Sequence, residues 1–548
     1  MDKLNPVIEE LLRMRGIEGK EEIEEYFSDK PKKTYDPSLL LNLDAAVERI
    51  LKAIESGEKI CIYGDYDADG ISSTAILCEI LSMLMPKERL CYHIPSRFSE
   101  GYGLNNTALD EIKEAGVGLV VTVDCGCVSV GEVEHAKELG MDIIVSDHHS
   151  MDEGRMPSCL IVNPKQKNCP YPYKGLAGCG VAFKIAQAIQ RKSGLPKSAI
   201  SGLLDLCAIG TIGDVMPLTG ENRTMVKYGL KLLKNGRRAA FKALMEGVQL
   251  KPERINAENI AFTIVPQLNA AGRMGDASLA EELLLESDPL EIANKAGLLL
   301  KANQERKDIQ DGLYADCVET VENELLDKNI IIVNPKNSHE GIAGIVAGRL
   351  RDRYYLPAIL LSDSGSGMLK GTGRSIEGID IHELLSGHIG LFEKFGGHAA
   401  ACGFSMKKEN FPAFREIFEN EADMRRRLEP EIFERPILFD LDLCADDISI
   451  ELCEDIERME PFGKDNPKPL FRLKDVEIKY LQFMGQEGNH AKFKLPAPDG
   501  FFEAVLFSRA REYEGLLKEG KTVDIIGSPE ISEWNGNKRV QFIIKEME

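Results

Sequence analysis

The chain has 548 residues, with 67 Lys or Arg against 89 Asp or Glu, so its formal net charge is −22. At about 150 residues per domain this length predicts three or four domains, and the acidic excess excludes a protein that coats nucleic acid by overall positive charge. There is no apolar run of about 18 residues, and the 13 cysteines without a C-x-x-C pair favour reduced thiols over disulfides or a zinc ribbon. We therefore expect a soluble, cytoplasmic protein without membrane contact.

The first half of the chain alternates between amphipathic helices and short apolar strands from about residue 45. The predicted strands are KICIYGD (59–65), LCYHIP (90–95), GLVVTVD (118–124) and DIIVSD (142–147). This alternation is typical of βαβ units with a parallel sheet. Three of the four strands end in aspartate, and the carboxyl ends of parallel strands are where such sheets place their chemistry.

Three further regions follow in chain order. Residues from about 179 to 288 have helical patterns, and residues 289–326 predict one long connecting helix. A second, smaller α/β unit follows over residues 327–428. Residues 429–548 are rich in strands, with a hairpin turn at Asn535 to Asn537, and suit either an oligonucleotide-binding (OB) type of barrel or an open sandwich.

The densest chemical signal is the sequence GDYDADGISS, which places Asp65, Asp67 and Asp69 between a strand and a helix. Neighbouring carboxylates repel one another unless a cation neutralises them. A calcium EF-hand loop also begins D-x-D-x-D-G, but it needs a glutamate where Ile76 stands and a helix before the loop. A different cation site is therefore predicted.

Other acidic and imidazole side chains follow at the ends of later elements. Asp147, His148 and His149 end the strand DIIVSD, Asp124 ends GLVVTVD, and Asp214 stands in the apolar sequence AIGTIGDVMPL. Each alone could be a cap or turn residue. A parallel sheet, however, gathers most of them at one edge, and a mixed aspartate and histidine cluster suits two divalent ions, Mn²⁺ or Mg²⁺, for in-line attack at phosphorus.

Basic residues dominate between Arg155 and Met245, where the acidic residues are Asp205, Asp214 and Glu221 alone. In an acidic chain this asymmetry favours a track for a polyanion, although solvated helix faces are the ordinary alternative. The glycine-rich segments Lys370–Ser375 and Gly396–His398 suit the close approach of a phosphate, or an ordinary hairpin.

Together these motifs resemble the DHH phosphoesterase superfamily and, within it, the bacterial RecJ family of single-strand-specific exonucleases. The matching segments are GDYDADGISS, VTVDCG, SDHH, IGTIGDVMPL, PQLNAAGRM, HEGIAGIVAGRL, KGTGRSI and FGGHAAACGFS, and they span nearly the whole chain. The resemblance implies an α/β fold with a parallel-sheet DHH catalytic domain and N-terminal helices (1–288), the connecting helix (289–326), a DHH-associated domain (327–428) and an OB-type barrel (429–548).

The resemblance also implies roles at the cation site. Asp67 would bind the first ion and Asp69 the second, with Asp124 bridging both. His148 and Asp214 would complete the second site, Asp147 would lie beside them, and His149 would contact the scissile phosphate. Related enzymes carry a histidine at the position of Tyr63, so Asp65 is the candidate to fill that place.

The implied activity is metal-dependent hydrolysis of single-stranded DNA from the 5′ end to 5′-mononucleotides, in recombination and repair. Arg97, Arg273, Thr372 and Arg374 would form a pocket for the 5′-terminal phosphate, and His398 would lie near the nucleotide being cleaved. The expected partners are single-stranded DNA, single-strand-binding protein and a RecQ-type helicase, and the expected state is a monomer.

Two other functions remain open from the residues. A phosphodiesterase for short RNA or cyclic dinucleotides would share the catalytic motifs but would have no use for a strand-rich C-terminal domain. A non-catalytic DNA-binding scaffold would have lost the aspartates, which are present here.

Overall fold

The computed structural model describes residues 4–365, 367–485, 488–497, 500–534 and 536–548. Two short helices, α1 (Pro6–Met14) and α2 (Lys20–Phe27), come first, and three sheets follow along the chain. In the described part of the chain, no helix is both long enough and apolar enough to cross a membrane.

The first sheet has five parallel strands in the order β2-β1-β3-β4-β5. Its elements are α3 (Leu43–Ser56), β1 (Lys59–Tyr63), α4 (Ala68–Ser82), β2 (Leu90–His93), α5 (Asn106–Glu114), β3 (Val117–Val123), α6 (Val130–Glu138), β4 (Asp142–Ser146) and β5 (Leu160–Val162). The central strands β1, β3 and β4 are buried on both faces because helices cover each side, as in doubly wound sheets. The predicted βαβ alternation is confirmed.

A helical layer completes this first unit. Its members are α7 (Gly178–Ser193), α8 (Ser198–Ser201), α9 (Leu204–Gly213), α10 (Gly220–Lys234), α11 (Ala239–Gly247), α12 (Ala257–Asn259), a π-helical turn (Ile260–Ile264), α13 (Val265–Met274) and α14 (Ser278–Leu284). The long helix α15 (Pro289–Glu324) begins at the N-cap Asp288, whose side chain accepts hydrogen bonds from two backbone amides. It leads away to the second unit, as the sequence predicts.

The second sheet has the order β6-β7-β8-β10-β9, with only β6 and β7 parallel. Its elements are β6 (Ile331–Val333), α16 (Glu340–Tyr354), β7 (Ala358–Asp363), β8 (Met368–Arg374), α17 (Ile381–Ser386), β9 (Lys394–His398), β10 (Ala401–Lys407) and α18 (Phe411–Leu428). Residues 370–374 of the KGTGRS segment form the end of β8, and residues 396–398 (GGH) form the end of the edge strand β9.

The C-terminal sheet has seven strands in the order β11-β12-β16-β17-β15-β14-β13. Its elements are β11 (Leu441–Leu443), α19 (Ile450–Arg458), β12 (Phe471–Glu477), β13 (Lys479–Met484), β14 (His490–Ala497), β15 (Gly500–Leu506), β16 (Thr522–Trp534) and β17 (Asn537–Met547). Strands β16 and β17 pair as the predicted hairpin; the turn residue Asn535 lies outside the described residues.

The first two helices pack differently from the expectation that residues 1–288 form one unit. Ile8, Leu11, Leu12 and Phe27 belong to the hydrophobic cluster of the C-terminal sheet, together with residues such as Leu452. Helices α1 and α2 are amphipathic, and an apolar face is stabilised by burial against any apolar surface that the fold brings near. Helices α1 and α2 therefore contribute to the core of the C-terminal sheet, although they precede the first sheet in the sequence.

Candidate functional site

The loop from β1 into α4 presents three aspartates at the carboxyl end of the parallel sheet. The Asp67 side chain caps α4, since its Oδ1 accepts hydrogen bonds from the amides of Asp69 (2.9 Å) and Gly70 (3.0 Å). A second side chain supports the same turn, because Asn269 Oδ1 accepts a hydrogen bond from the Ala68 amide at 2.7 Å. The capping fixes where Asp67 and Asp69 point.

Asp69 is buried and is held by the start of α7. Its two oxygens accept hydrogen bonds from the amides of Gly178 (2.7 Å) and Cys179 (2.9 Å), which are partners that a carboxylate finds at a helix N-terminus. Glycine is required at two neighbouring positions: a Cβ on Gly178 would lie 2.6 Å from Asp124 Oδ1, and one on Gly210 would lie 2.6 Å from Asp69 Oδ1. These helices pack directly against the carboxylates.

His148 joins the aspartates of three different elements. Its Nε2 lies 3.1 Å from Asp124 Oδ1, 3.5 Å from Asp214 Oδ2 and 3.9 Å from Asp69 Oδ2. Asp124 follows β3 with a positive φ of 61°, and Asp214 follows α9. Burial is the main reason that the pKa of His148 falls to about 4, so its imidazole is neutral and able to coordinate a metal.

We call Asp65, Asp67, Asp69, Asp124, His148 and Asp214 the acidic centre. Three sets of its potential ligand atoms lie within 4.8 Å of one another: Asp65, Asp67 and Asp124; Asp69, His148 and Asp214; and Asp124, His148 and His149. The first two sets are candidates for two adjacent cation sites; Asp124 belongs to the first set and contacts His148 of the second.

The polar atoms of the acidic centre fit divalent cations. Asp65 Oδ1, Asp124 Oδ1 and both ring nitrogens of His148 are buried without a hydrogen-bond partner within the described residues. Burial and then the charge of Asp67 raise the pKa of Asp65, while burial and then the charge of Asp69 raise that of Asp124. Buried, unpaired carboxylates in such numbers are stabilised only by protons or cations, and oxygen with imidazole is the donor set of Mn²⁺ and Mg²⁺.

Asp147 and His149 lie at the rim of this centre. Asp147 Oδ1 accepts hydrogen bonds from the amides of His148 (2.7 Å) and His149 (3.0 Å) and lies 2.8 Å from His149 Nδ1, while its Oδ2 accepts one from the Cys127 amide. Burial alone would raise the pKa of Asp147, but its bond with His149 and the charge of that imidazole lower it below the ordinary value. Both oxygens of Asp147 are thus engaged: Oδ1 orients His149, and Oδ2 binds the Cys127 amide.

Tyr63 does not contribute a ligand atom. It is buried in the hydrophobic cluster on the opposite face of the sheet, and its hydroxyl donates to the Gly103 carbonyl at 3.1 Å. Asp65 instead presents its unpartnered Oδ1 beside Asp67 and Asp124. The role of Asp65 as a metal ligand in the place of the missing histidine stays a prediction.

Apart from the acidic centre, a polar cavity of about 320 Å³ lies between the first and second units, and we call it the anion pocket. It brings together four predicted substrate-binding residues: Arg97, Arg273, Thr372 and Arg374. Arg374 donates to Thr372 Oγ1 (3.3 Å), and the Arg273 guanidinium donates to the Gly341 carbonyl (3.0 Å) at the start of α16. Three arginines at a helix N-terminus suit a phosphate group.

Two features of this pocket were not anticipated. Glu340 is a carboxylate in its wall, and both of its oxygens bind Lys370 Nζ, at 2.7 and 2.8 Å. Burial and then the charge of Arg97 lower the pKa of Arg273 to about 10, so the side chain stays cationic at neutral pH. His398 does not line the pocket; it is exposed at the end of β9.

The predicted polyanion track between Arg155 and Met245 is wrong for its buried members. Lys184 is buried in an ion pair with Glu221, and Arg238 binds Asp205 at 2.9 Å. Arg223 is buried as well and donates to backbone carbonyls. Charge spacing alone cannot distinguish cations that face solvent from cations that satisfy internal acceptors.

Several functional contacts were missed by sequence reasoning. The Tyr102 hydroxyl donates to the Asp124 carbonyl (3.0 Å) and lies 3.1 Å from His149 Nδ1, and Asn269 supports the α4 turn. Lys165 is exposed, and its positive charge acts on both His148 and Asp214. Asn269 stands within the PQLNAAGRM segment, but no local pattern shows which atoms Asn269 or Tyr102 contacts.

Three family models match the chain. Residues 59–211 match the DHH family N-terminal domain, residues 327–423 match the DHHA1 domain, and residues 439–546 match the RecJ OB domain. These matches identify the three sheets as a DHH sheet, a DHHA1 sheet and an OB sheet, in agreement with the predicted fold class.

Full-length relatives agree with the domain matches. The single-stranded-DNA-specific exonuclease RecJ of Bacillus subtilis is 37% identical over 544 residues, which is 99% of this chain and 68% of that protein. Crystal structures of Thermus thermophilus RecJ with Mn²⁺ and with Mg²⁺ superpose with TM-scores of 0.83 and 0.77, at 29% and 28% identity. They cover 98% of this chain and 75% and 74% of the RecJ chain. This chain therefore belongs to the RecJ family of single-stranded-DNA-specific exonucleases.

Proposed function

We propose that the chain is a metal-dependent exonuclease that hydrolyses single-stranded DNA from its 5′ end and releases 5′-mononucleotides, in DNA recombination and repair. The observation that carries the proposal is the acidic centre itself. Carboxylates and an imidazole from separate elements converge there with buried atoms that have no protein partner within the described residues. RecJ family membership supports the substrate class.

The proposed ligand roles follow the grouping of atoms. Asp67 with Asp65 would hold the first ion, and Asp69, His148 and Asp214 would hold the second. Asp124 would contact both ions, since its Oδ1 lies 3.1 Å from His148 Nε2 and its carboxylate also belongs to the Asp65 group. Two such cations would supply charge neutralisation at the phosphodiester and a water of lowered pKa.

The remaining residues of the site would orient the substrate. His149 has a side chain that is 44% exposed and is fixed on one side by Asp147, so its other ring nitrogen can contact the scissile phosphate. His398 would approach the nucleotide being cleaved from the second unit. No covalent intermediate with the protein is required.

The anion pocket is the proposed site for the 5′-terminal phosphate. Arg97, Arg273 and Arg374 provide cations, and Thr372 provides a hydroxyl. Arg97 lies over the ring of Tyr66, and Tyr66 stands between Asp65 and Asp67 in the sequence. A phosphate bound beside Arg97 would therefore place the first phosphodiester in the direction of the acidic centre. This contact supports cleavage from the 5′ end.

The C-terminal sheet would guide the incoming strand. Several aromatic side chains are exposed on its surface, and bases stack on such rings without regard to sequence. They are Tyr480, Phe483, Phe501 and Phe507. Lys494 Nζ lies 5.2 Å from the centre of the Tyr480 ring, so a cation for the DNA backbone stands beside one stacking surface.

The deciding experiment is digestion of an end-labelled 20-mer, single-stranded or double-stranded, with Mn²⁺ and with EDTA. We expect metal-dependent release of mononucleotides from the 5′ end of the single strand alone. Equal or faster turnover of a dinucleotide would point to a phosphodiesterase of short substrates. Strand binding without hydrolysis and without manganese uptake would point to a scaffold.

Replacing one pocket arginine tests the end-recognition site. We expect Arg374→Ala to lower kcat/KM for a 5′-phosphorylated strand by about tenfold more than for a 5′-hydroxyl strand, because charge-assisted phosphate contacts are lost. Arg349→Ala is the control, since Arg349 lies on α16 and pairs with Asp311. An equal loss on both strands would remove Arg374 from the proposed pocket.

We further propose a division into units at residues 1–288, 289–326, 327–428 and 429–548, with α1 and α2 as a covering element of the last unit. The family-model matches fall inside these bounds, and the shared hydrophobic cluster supports the covering role.

A monomer in the cytoplasm that works with single-strand-binding protein and a RecQ-type helicase suits this activity, and a pull-down with each purified partner tests the two expected interactions.

A further inference from the structure

The loop between β2 and α5 reaches both functional sites. Arg97 lines the anion pocket, and its guanidinium lies 5.0 Å from the centre of the Tyr66 ring. Five residues later, the Tyr102 hydroxyl donates to the Asp124 carbonyl at 3.0 Å and lies 3.1 Å from His149 Nδ1. The same short loop therefore touches the phosphate pocket at one end and the acidic centre at the other.

Glu100 holds this loop together from the inside. Its Oε1 accepts a hydrogen bond from the Ser96 amide at 2.8 Å, and its Oε2 lies 2.9 Å from His93 Nε2. The Ser96 carbonyl in turn accepts hydrogen bonds from the amides of Glu100 (2.9 Å) and Gly101 (3.0 Å). The carboxylate thus bridges the start of the loop and the end of β2, while the backbone amide of Glu100 closes the turn onto Ser96.

The His93 side of this bridge leads back to the sheet. The His93 ring packs on the Tyr63 ring with centroids 4.9 Å apart, and the Tyr63 hydroxyl donates to the carbonyl of Gly103 at 3.1 Å. Tyr63 ends β1, which runs directly into Asp65. Both ends of the loop are consequently fixed to the strand that delivers the first aspartates.

We propose that Glu100 is a positioning residue that sets Arg97 and Tyr102 in one frame, so that capture of a 5′-terminal phosphate and alignment of His149 occur together. This inference rests on the proposed function of the two sites. Glu100 contacts neither the acidic centre nor the wall of the anion pocket; its side chain is 21% exposed and acts through the loop. The proposal gives one role to the loop sequence SRFSEGYG at residues 96–103.

The physical consequence is a joint effect on end recognition and turnover. Without the carboxylate, the Ser96 amide and the His93 imidazole lose their shared partner and the loop gains conformational freedom. A displacement of about 1 Å in a positioning group is enough to cost up to about 100-fold in rate. We expect Glu100→Ala to lower the ratio of kcat/KM for 5′-phosphorylated over 5′-hydroxyl strands by about tenfold, and also to lower kcat.

Two companion variants separate positioning from folding. Glu100→Gln keeps an acceptor for the Ser96 amide and should recover most of the preference for the 5′-phosphate. Asp110→Ala removes a matched carboxylate, which lies 2.8 Å from His135 Nε2 between α5 and α6, away from the loop. We expect Asp110→Ala to leave the preference unchanged, and the thermal midpoints of all variants should be compared.

A double-mutant cycle tests whether Glu100 acts through Arg97. The combined Arg97→Ala and Glu100→Ala variant should lose no more preference than Arg97→Ala alone, since coupled residues are not additive. Additive losses, or a Glu100→Ala variant with lower thermal stability and unchanged preference, would overturn the proposal.

Binding provides a readout that is independent of hydrolysis. Fluorescence anisotropy with 5′-phosphorylated and 5′-hydroxyl 12-mers, in EDTA, should show that Glu100→Ala weakens only the phosphorylated strand. Equal binding of both strands by wild type and variant alike, or an unchanged preference in the variant, would refute the inference. If the wild-type protein hydrolyses neither strand with Mn²⁺, the proposed function fails, and the binding ratio still decides the role of Glu100.

Discussion

Asp124 is the residue on which the chemistry of the acidic centre depends most. Its side chain belongs to two of the three groups of potential ligand atoms and lies 3.1 Å from His148 Nε2. We expect Asp124→Ala to lower manganese-dependent hydrolysis by at least about 100-fold, because even outer contacts of a metal site are worth 10- to 100-fold. Strand binding, measured by anisotropy, should persist.

The control for this variant is Asp142→Ala. Asp142 begins strand β4, at the end of the sheet away from the acidic centre, and its side chain is 64% exposed. It should retain full activity. Residual hydrolysis above about one per cent in Asp124→Ala would contradict a shared position between two ions.

Glu281 is a buried acid outside the acidic centre, and it predicts a dependence of stability on pH. Neither of its oxygens has a hydrogen-bond partner in the described part of the chain, and burial, then the charge of Glu79, raise its pKa well above 4.5. The folded protein keeps this proton while the unfolded chain releases it above pH 4.5, so stability falls as the pH rises from that value.

Glu281→Gln should remove this loss. Between the unfolded pKa and the raised folded pKa, the free energy of unfolding of the variant relative to wild type is expected to grow with pH, by at most about 1.4 kcal/mol per pH unit. Thermal midpoints at about pH 6, 7 and 8 measure it. Glu282→Gln, at a neighbouring side chain that is 43% exposed, should show no such trend; a flat difference for Glu281→Gln would mean that the acid has an unseen partner.

At the scale of elements, helix packing fixes the carboxylates as much as the β1 loop does. Gly210 of α9 faces Asp69, and an added Cβ would lie 2.6 Å from Asp69 Oδ1 and 2.6 Å from Cys179 Sγ. Gly297 of α15 is a matched helical glycine with no atom within 4 Å of its Cβ position. Substitution of Gly297 therefore tests helix propensity alone, whereas substitution of Gly210 also tests the close approach of α9 to Asp69.

We expect opposite outcomes for the two alanine variants. Gly297→Ala should raise the thermal midpoint slightly, because alanine favours a helix over glycine by about 1 kcal/mol. Gly210→Ala should lower it, since overpacking costs about 1–3 kcal/mol, and should increase the manganese concentration needed for half-maximal activity. Similar midpoints and metal responses in both variants would show that α9 can move away from Asp69.

At the scale of the whole molecule, one buried side chain links three parts of the chain. Arg223 of α10 is 6% exposed and donates to the carbonyls of Tyr26 (3.2 Å) and Glu460 (2.8 Å), and its guanidinium lies 4.0 Å from the centre of the Tyr26 ring. It joins the first unit to α2 and to the C-terminal sheet.

Arg223→Ala should therefore loosen the assembly of the units. Leaving these acceptors unpaired is expected to destabilise the protein by about 2–4 kcal/mol, seen as a lower thermal midpoint and faster proteolysis near residue 30. Lys242→Ala, where the side chain is 61% exposed, is the control. An unchanged midpoint would show that the hydrophobic cluster of α1 and α2 suffices to hold the units together.

The sequence by itself determined the parts of this protein that depend on neighbouring residues. Strand and helix periodicity and the aspartates at strand ends are local patterns, so the parallel sheet and the candidate members of the acidic centre could be predicted. The four residues of the anion pocket came from the family resemblance, since no local pattern joins Arg97 to Arg374.

The tertiary structure decided what depends on long-range packing. The amide of Gly178 reaches Asp69 across 109 residues, Arg223 points inward rather than into solvent, and α1 and α2 complete the core of the C-terminal sheet. The sequence of an amphipathic helix or of a basic segment does not identify the partner that it will contact, because hydrophobic and electrostatic attraction act between any two suitable surfaces, however far apart they are in the sequence. Only the folded chain selects which surfaces meet.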